Sequence, residues 1–443
     1  MVLNSGYSNS LKEDSNPEKP AEEVKPSPPA PNIGAEIDLF INQIDALAET
    51  LPLATKAIND VVVGSRQQLV EFLKGECKTF AAEDGKTHYS FDGNQYLKYS
   101  RLQRRTRKAS LAQTLVPRGV FVALVSQFDA YVGALVKNFF RLRPEIVDAS
   151  GKSLTFSELV NFDSLGAARD FMVEKEIDAL LRESHSDQFD WLEKKFNIVL
   201  RKDLPAWPVF IELTERRNLF VHTNGVVSRQ YLEVCRKHSC QLHEGIRIGE
   251  SLPLTREYLS AAYQCLFELG VKLGQVLWRK LAPDQIAKAD GNLIFIAYAL
   301  INDRRYQLAR QLLDFATALP RHSAEDQRLR FVVNRAQTYK WMGDEKKCKE
   351  VVDAEDWTAM NLKFQLAHAV LTDNFAEAIS IVERIGTGET ELDKHSYREW
   401  PLFKEFRKCR DFIQLFERTF GEPLNKVVVQ DPHGDDASSG LVN

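Results

Sequence analysis

The chain reads as all-α: a helical bundle in its middle followed by an α-solenoid of helix hairpins. Three observations predict this. The segment Pro117 to Phe140, PRGVFVALVSQFDAYVGALVKNFF, is apolar around most of its circumference, the pattern of a helix at the centre of a bundle. Beyond Pro283 an apolar helix, a short Asp-containing turn and a second helix recur at intervals of roughly 30 to 40 residues, the mark of a repeat array. Elsewhere apolar residues recur at helical spacing, and strand-like alternation is confined to one short run. With 443 residues and 44% hydrophobic content there is room for two or three domains with buried cores.

Residues 1–35 are polar, then rich in Pro, Glu, Lys and Ser, and predict a disordered tail. A mainly helical extension is expected over 36–112. Ile37, Phe40, Ile41, Ile44, Leu47 and Leu51 give it one or two helices between Asp38 and about Phe80. The run from Asp84 to Tyr99 alternates and contains Asp92-Gly93-Asn94, which suggests a small hairpin. Between Tyr96 and Arg143 basic residues accumulate with Asp129 as the only acid. Arg101, Arg104, Arg105, Arg107 and Lys108, near Tyr96 and Tyr99, are candidates for RNA contact, the tyrosines stacking bases beside the cations. A solvated helix face is the plainer meaning of such a run.

The bundle is expected over 113–282. Its central helix, Pro117 to Phe140, carries one non-apolar stripe: Ser126, Asp129, Gly133 and Lys137. Further helical segments cover Phe156 to Val160, Ala167 to Arg182 and Phe189 to Phe196, and a long amphipathic helix from Leu254 to Leu281 closes it. Over 283–422, helix pairs begin near Ala297, Asn334 and Gln365, and a last amphipathic pair from Tyr397 caps the array. Their spacing, near the roughly 34 residues of tetratricopeptide repeats, and the small residues Ala309 and Ala378 resemble that family. Such arrays bind peptides or proteins on a concave surface. Residues 423–443 read as a flexible tail.

One stretch suggests chemistry. Phe210 to Gly225 reads FIELTERRNLFVHTNG. Pro205 and Pro208 mark a helix start, and Gly225 after Asn224 supplies a left-handed stop. Arg217, Asn218 and His222 then fall in the last two turns. Asn218 and His222 share a face at i,i+4, while Arg217 and His222 lie roughly 140° apart around the axis and about 7.5 Å apart along it. One copy does not clasp a small substrate, but two copies related by a two-fold axis would line a shared cleft with two Arg and two His. That inventory suits RNA cleavage without metal or cofactor. One imidazole takes the proton of a ribose 2′-OH, another protonates the leaving 5′-oxygen, and guanidinium holds the phosphate. Spacing alone is weak, since Arg236 to His243 and Arg216 to His222 are similar.

Context raises it. Asn218 directly after Arg217, the apolar Leu219, Phe220 and Val221, and His222 in HTNG together resemble the ribonuclease motif of the HEPN superfamily. The resemblance implies an all-helical bundle that dimerises with facing motifs, metal-independent endoribonuclease activity, and a role as toxin or effector in prokaryotic antiphage or abortive-infection defence. It carries Arg217, Asn218 and His222 over as catalytic positions. It also makes Asp129 a supporting candidate, since an acid on the first bundle helix would orient the motif Arg. An ordinary polar stripe, or a dimer contact using small residues, is the alternative. Some HEPN toxins paired with a nucleotidyltransferase antitoxin carry a modifiable Tyr two residues after the His; here Asn224 stands there, which argues against that control.

Other classes find less support. The net charge of −4 gives little long-range attraction for nucleic acid. Six scattered cysteines do not make a disulfide framework, and Cys235, His238, Cys240 and His243 are packed too tightly for a comfortable zinc tetrahedron. No HExxH helix, phosphate loop or GxSxG elbow occurs. No signal-like apolar region and no uninterrupted apolar run near 18 residues is found, so a cytoplasmic protein without a membrane span is expected. The leading expectation is a homodimeric, metal-independent RNase whose repeat array holds it inactive or receives a trigger protein. A non-catalytic HEPN-type adaptor that binds RNA is the alternative, and a helical regulatory protein that never meets RNA the third.

Overall fold

A computed structural model describes residues 32–81, 87–145, 153–202, 204–242, 245–388 and 392–425. The tails expected over 1–35 and 423–443 fall mostly outside these residues. Helix α1 (Ile33–Glu76) starts where the Asn32 side chain accepts a hydrogen bond from Ala35 N at 3.1 Å, and it runs unbroken for about 66 Å. A two-stranded antiparallel ribbon follows, β1 (Lys78–Ala81) and β2 (Thr87–Ser90), with Lys78 opposite Ser90. The hairpin therefore lies earlier than the alternation suggested. Asp92 does not make its turn but caps α2 (Gly93–Leu142): its carboxylate accepts from Gln95 N at 2.8 Å, and Gln95 Oε1 accepts from Asp92 N at 2.9 Å. Asp, Gly and Asn serve turns and helix starts equally well, which is why the two readings were interchangeable.

α2 runs unbroken through the expected boundary at 112/113 and carries Pro117 inside it. It pairs with α1 along its length. Near their common base Phe40 stacks on Tyr131 at 4.5 Å, and Ile33, Ile37 and Ile44 join Phe121, Leu124 and Phe128 in the main core. Toward the ribbon the two helices are tied to each other by Thr106 Oγ1 donating to Ser65 O at 3.2 Å and by Lys98 on Glu76. The extension and the bundle thus share helices. Part of α2 is long and apolar enough to cross a membrane by length and composition, and that part is half buried inside the protein.

The bundle continues with α3 (Phe156–Leu159), α4 (Leu165–Arg182), α5 (His185–Phe196), α6 (Trp207–His222), α7 (Arg229–Lys237) and α8 (Arg256–Leu281). α8 approaches α1 and α2 through glycines. A Cβ on Gly270 would overlap the Phe40 ring, and one on Gly274 would overlap Tyr131 Oη and lie 2.8 Å from Ile37 Cγ1. Tyr131 Oη donates to Gly270 O at 3.0 Å, satisfying the phenol inside this contact.

The C-terminal part is a run of helices: α9 (Ile286–Asn302), α10 (Tyr306–Thr317), α11 (Glu325–Trp341), α12 (Glu345–Asp353), α13 (Leu362–Leu371), α14 (Phe375–Ile385), α15 (Lys394–Glu399) and α16 (Arg410–Phe420). Three turns close alike. Arg304, Gly343 and Asp373 take left-handed φ of 58°, 80° and 57°, and the next residue donates back to Leu300 O, Tyr339 O and Ala369 O at 2.8, 3.0 and 2.8 Å. α11 packs on α9 and α13 as well as on its sequence neighbours. No core boundary falls at 283. The main core continues through Ala289, Leu293 and Ala297 to Phe331, and a second core runs from Leu329 to Leu424, so the two meet within α11. The expected last pair is instead α15, two short 3₁₀ turns beginning at Pro401, and α16, with Tyr397, Phe403, Phe412 and Phe416 buried between them. Pro401 cannot continue α15 because it lacks an amide proton. Among the described residues the ribbon holds the only named strands, and the fold is all-α.

Candidate active site on the motif helix

α6 begins with Pro208 in its first turn and ends at His222, where Thr223 N donates to Leu219 O at 2.9 Å. The stop uses two residues. Asn224 and Gly225 have φ of 55° and 86°, and Gly225 N also donates to Leu219 O at 2.9 Å. A Cβ at Gly225 would meet the Phe220 ring at 2.7 Å, so glycine is required for space as well as for conformation. Phe210, Ile211, Leu213 and Leu219 anchor the helix in the core.

Its two arginines part company. Arg216 is buried. Its Nε donates to Glu212 Oε1 at 2.8 Å, its Nη1 to Pro253 O at 3.2 Å, and its guanidinium lies over the Tyr258 ring at 3.8 Å. Glu212 also accepts from Tyr231 Oη and Tyr258 Oη, both at 2.6 Å. Burial pushes both phenols well above the usual tyrosine range, with the Glu212 charge adding to it. This network has every feature of a structural clamp between α6, α7 and α8.

Arg217 points the other way, toward α2. Its Nη2 pairs with Asp129 Oδ2, and its Nη1 donates to Asn218 Oδ1 at 3.1 Å. Asp129 is therefore the acid expected beside the motif Arg. Its second oxygen, Oδ1, meets His185 Nε2 at 2.8 Å. His185 opens α5, where Ser184 caps the helix, and lies buried with its ring edge-on to Phe210 at 5.5 Å. Glu215 completes the group. Burial raises its carboxyl above the usual range, partly offset by His185 and by a hydrogen bond from Asn218. His185 and Glu215 escaped the sequence reading: His185 is 56 residues from Asp129, and only the fold brings them together. Arg217 Nε is buried without a partner.

His222 closes α6 and is exposed, about 7.5 Å farther along the axis than Arg217. The site within one copy is thus a held guanidinium, an amide and an open imidazole on one helix end. The two cavities of about 700 and 710 Å³ lie elsewhere, one between the loop before α6 and α8 and α10, the other between α1, α2 and α8.

Arg101, Arg104, Arg105, Arg107 and Lys108 are all exposed on α2, and among the described residues none pairs with a carboxylate. Arg105 reaches Gln68 Oε1 at 3.1 Å and Arg104 Nε its own helix at Ser100 O. Tyr96 is exposed, while Tyr99 packs on Phe91 at 4.8 Å. One copy does not bring this stretch to the motif, since Lys108 is about 31 Å from Asp129 along α2. Arg118 is the cation of the basic run that does arrive: its Nη1 donates to Asn224 Oδ1 at 2.8 Å, and its guanidinium covers Phe220 at 5.0 Å. Of the tight Cys/His cluster, His243 lies outside the described residues, and among the described residues no group of three or more His, Cys, Asp or Glu is placed to hold a metal ion. No family model, no curated protein and no solved structure matches this chain, so the reading of the site rests on its own geometry.

Proposed function

We propose that the chain is a HEPN-type, metal-independent endoribonuclease that works as a homodimer, with Arg217, Asn218 and His222 at the reacting phosphodiester. The single observation that carries this is the Asp129–Arg217 pair, in which an acid on the central bundle helix fixes the motif guanidinium beside Asn218. A free arginine would sample many rotamers; a held one presents its donors in a set direction, which matters when charge builds on a phosphate. In this reading two copies of α6 face each other. One His222 removes the 2′-OH proton as the oxygen attacks phosphorus, the second protonates the departing 5′-oxygen, and Arg217 stabilises the pentacoordinate phosphate. The products are a 2′,3′-cyclic phosphate and a 5′-OH end. The exposed cations of α2 serve as a tract for the RNA backbone beyond the cut site, and the C-terminal helix pairs as the docking surface for a regulating protein.

The test is cleavage of total RNA by the purified chain in excess EDTA, beside His222→Ala, with the ends mapped. EDTA-resistant cuts that end in cyclic phosphate and vanish in the variant are expected. Equal cleavage by both proteins would remove the assignment.

A further inference from the structure

We propose that Cys235 and Cys240 are a reversible redox pair that closes to an intramolecular disulfide in the small core that α7 shares with Leu219 of α6. The inference does not depend on the ribonuclease reading and concerns residues that it leaves unused. The geometry comes from how α7 ends. After the cap residue His238, Ser239 takes a left-handed φ of 54°, Ser239 N donates to Arg236 O at 3.2 Å, and Cys240 N donates to Cys235 O at 2.8 Å. This pair of reverse bonds is the Schellman close, whose accompanying feature is a side-chain contact between the two residues that here are Cys235 and Cys240. The 2.8 Å bond also limits their Cα separation to about 6.7 Å, within the span a disulfide bridges. Both cysteines are free thiols, and both pack in the same small apolar cluster.

The two sulfurs are not equivalent. Cys235 is fully buried, in a small core with Leu219, Val227, Tyr231 and Leu252, whereas Cys240 is half-buried at its edge. A hydrogen bond from Cys235 lowers the Cys240 thiol below the usual range, while Cys235 is driven the other way. The edge thiol is therefore the attacking group and the buried one the resolving group. With hydrogen peroxide as oxidant, the Cys240 thiolate attacks one peroxide oxygen, the O–O bond breaks, and the leaving hydroxide takes up the thiol's proton as water. The sulfenic acid formed is then attacked by the Cys235 sulfur, the S–O bond breaks, and a second water departs with the Cys235 proton. Two thiols are oxidised to one S–S bond and one peroxide is reduced to two waters. Two equivalents of a small thiol reverse it. Leu219 shares the small core with Cys235 and follows Asn218, so the bond would stiffen the underside of the motif helix.

The experiment treats the folded full chain with a few equivalents of hydrogen peroxide, blocks remaining thiols with iodoacetamide, and digests it with trypsin without reductant. Cleavage after Arg236 and Lys237 separates the two cysteines, so the bond appears as peptide Gln230–Arg236 joined to the peptide beginning at His238. The expected result is this linked pair as the main oxidised product, returned to free thiols by glutathione. With Cys235→Ser, Cys240 should instead stay as sulfenic acid, trapped by dimedone. Alkylation of both cysteines after peroxide treatment, over-oxidation of Cys240 without a link in the native chain, or linkage to Cys265 or Cys348 would overturn the proposal. The native-chain result stands even where the variant folds poorly.

Discussion

Arg216 and Arg217 are consecutive residues on one helix, yet one faces a closed network and the other an open one. Around Arg216 a carboxylate, a backbone carbonyl and the face of Tyr258 meet its guanidinium, and two phenols donate to the same Glu212 carboxylate. Around Arg217 a single carboxylate and a neighbouring amide hold two nitrogens while Nε stays buried without a partner, its side chain 21% exposed against 11% for Arg216. A charge buried for stability is surrounded on every side, because an unmet donor in a low-dielectric interior is costly. The proposed chemistry asks of Arg217 that it be held at one edge and open at another, as its contacts leave it. Adjacent residues on a helix point roughly 100° apart, so one sequence step separates the two environments.

The largest expected effect tests the closed side. Glu212→Ala leaves Arg216 charged and buried and strips two phenols of their acceptor, so stability should fall by about 3 to 5 kcal/mol, read as a lowered urea midpoint. A loss of less than about 1 kcal/mol would mean that the interior readily admits water and that the two arginines do not differ in the way argued.

On the open side the effects should reverse. Arg217→Ala should cost no more than about 1 kcal/mol in urea, since its pair is partly solvated, while RNA cleavage falls by about a hundredfold or more. Stability lost in proportion to activity would assign Arg217 to the clamp class instead. Asp129→Asn sharpens the point. Amide for carboxylate keeps the shape but removes the charge that orients the guanidinium, so cleavage should drop about tenfold, and adding Arg217→Ala to it should cost less than the two losses multiplied. Independent losses in that double-mutant cycle would sever Asp129 from the arginine.

The candidate site was only half readable from the chain. Arg217, Asn218 and His222 announce themselves because the motif is local, and Asp129 stood out as the single acid in an apolar helix otherwise flanked by cations. His185 carried no signal, since a histidine after Ser184 reads as the first residue of any capped helix until α2 is laid beside it. The same limit explains the boundaries. Pro117 resembles a helix start, but α2 continues upstream of it because Asp92 provides a strong start farther back. The change of texture near Pro283 marks a new pattern of loops, whereas the core passes straight through it on Ala289, Leu293 and Ala297. Periodicity reports which face is apolar; it does not report what that face meets.

The smallest effect separates a buried acid from a reacting one. Glu215 lies on the open side, and burial raises its carboxyl above 4.5 in the folded chain. The folded state thus holds that proton more tightly than the unfolded chain does. The resulting stabilisation is complete below pH 4.5 and is lost as pH rises through the folded value. Glu215→Gln, uncharged throughout, should match the native chain below pH 4.5 and exceed it in stability at neutral pH, with urea midpoints measured across that range. Cleavage at neutral pH should persist in this variant, because the proposed chemistry gives the proton transfers to imidazole and asks of Glu215 only that it lie beside Asn218. Retained stability with lost cleavage would instead make Glu215 the base, and the open side would then consist of a carboxylate and an arginine, with His222 outside it.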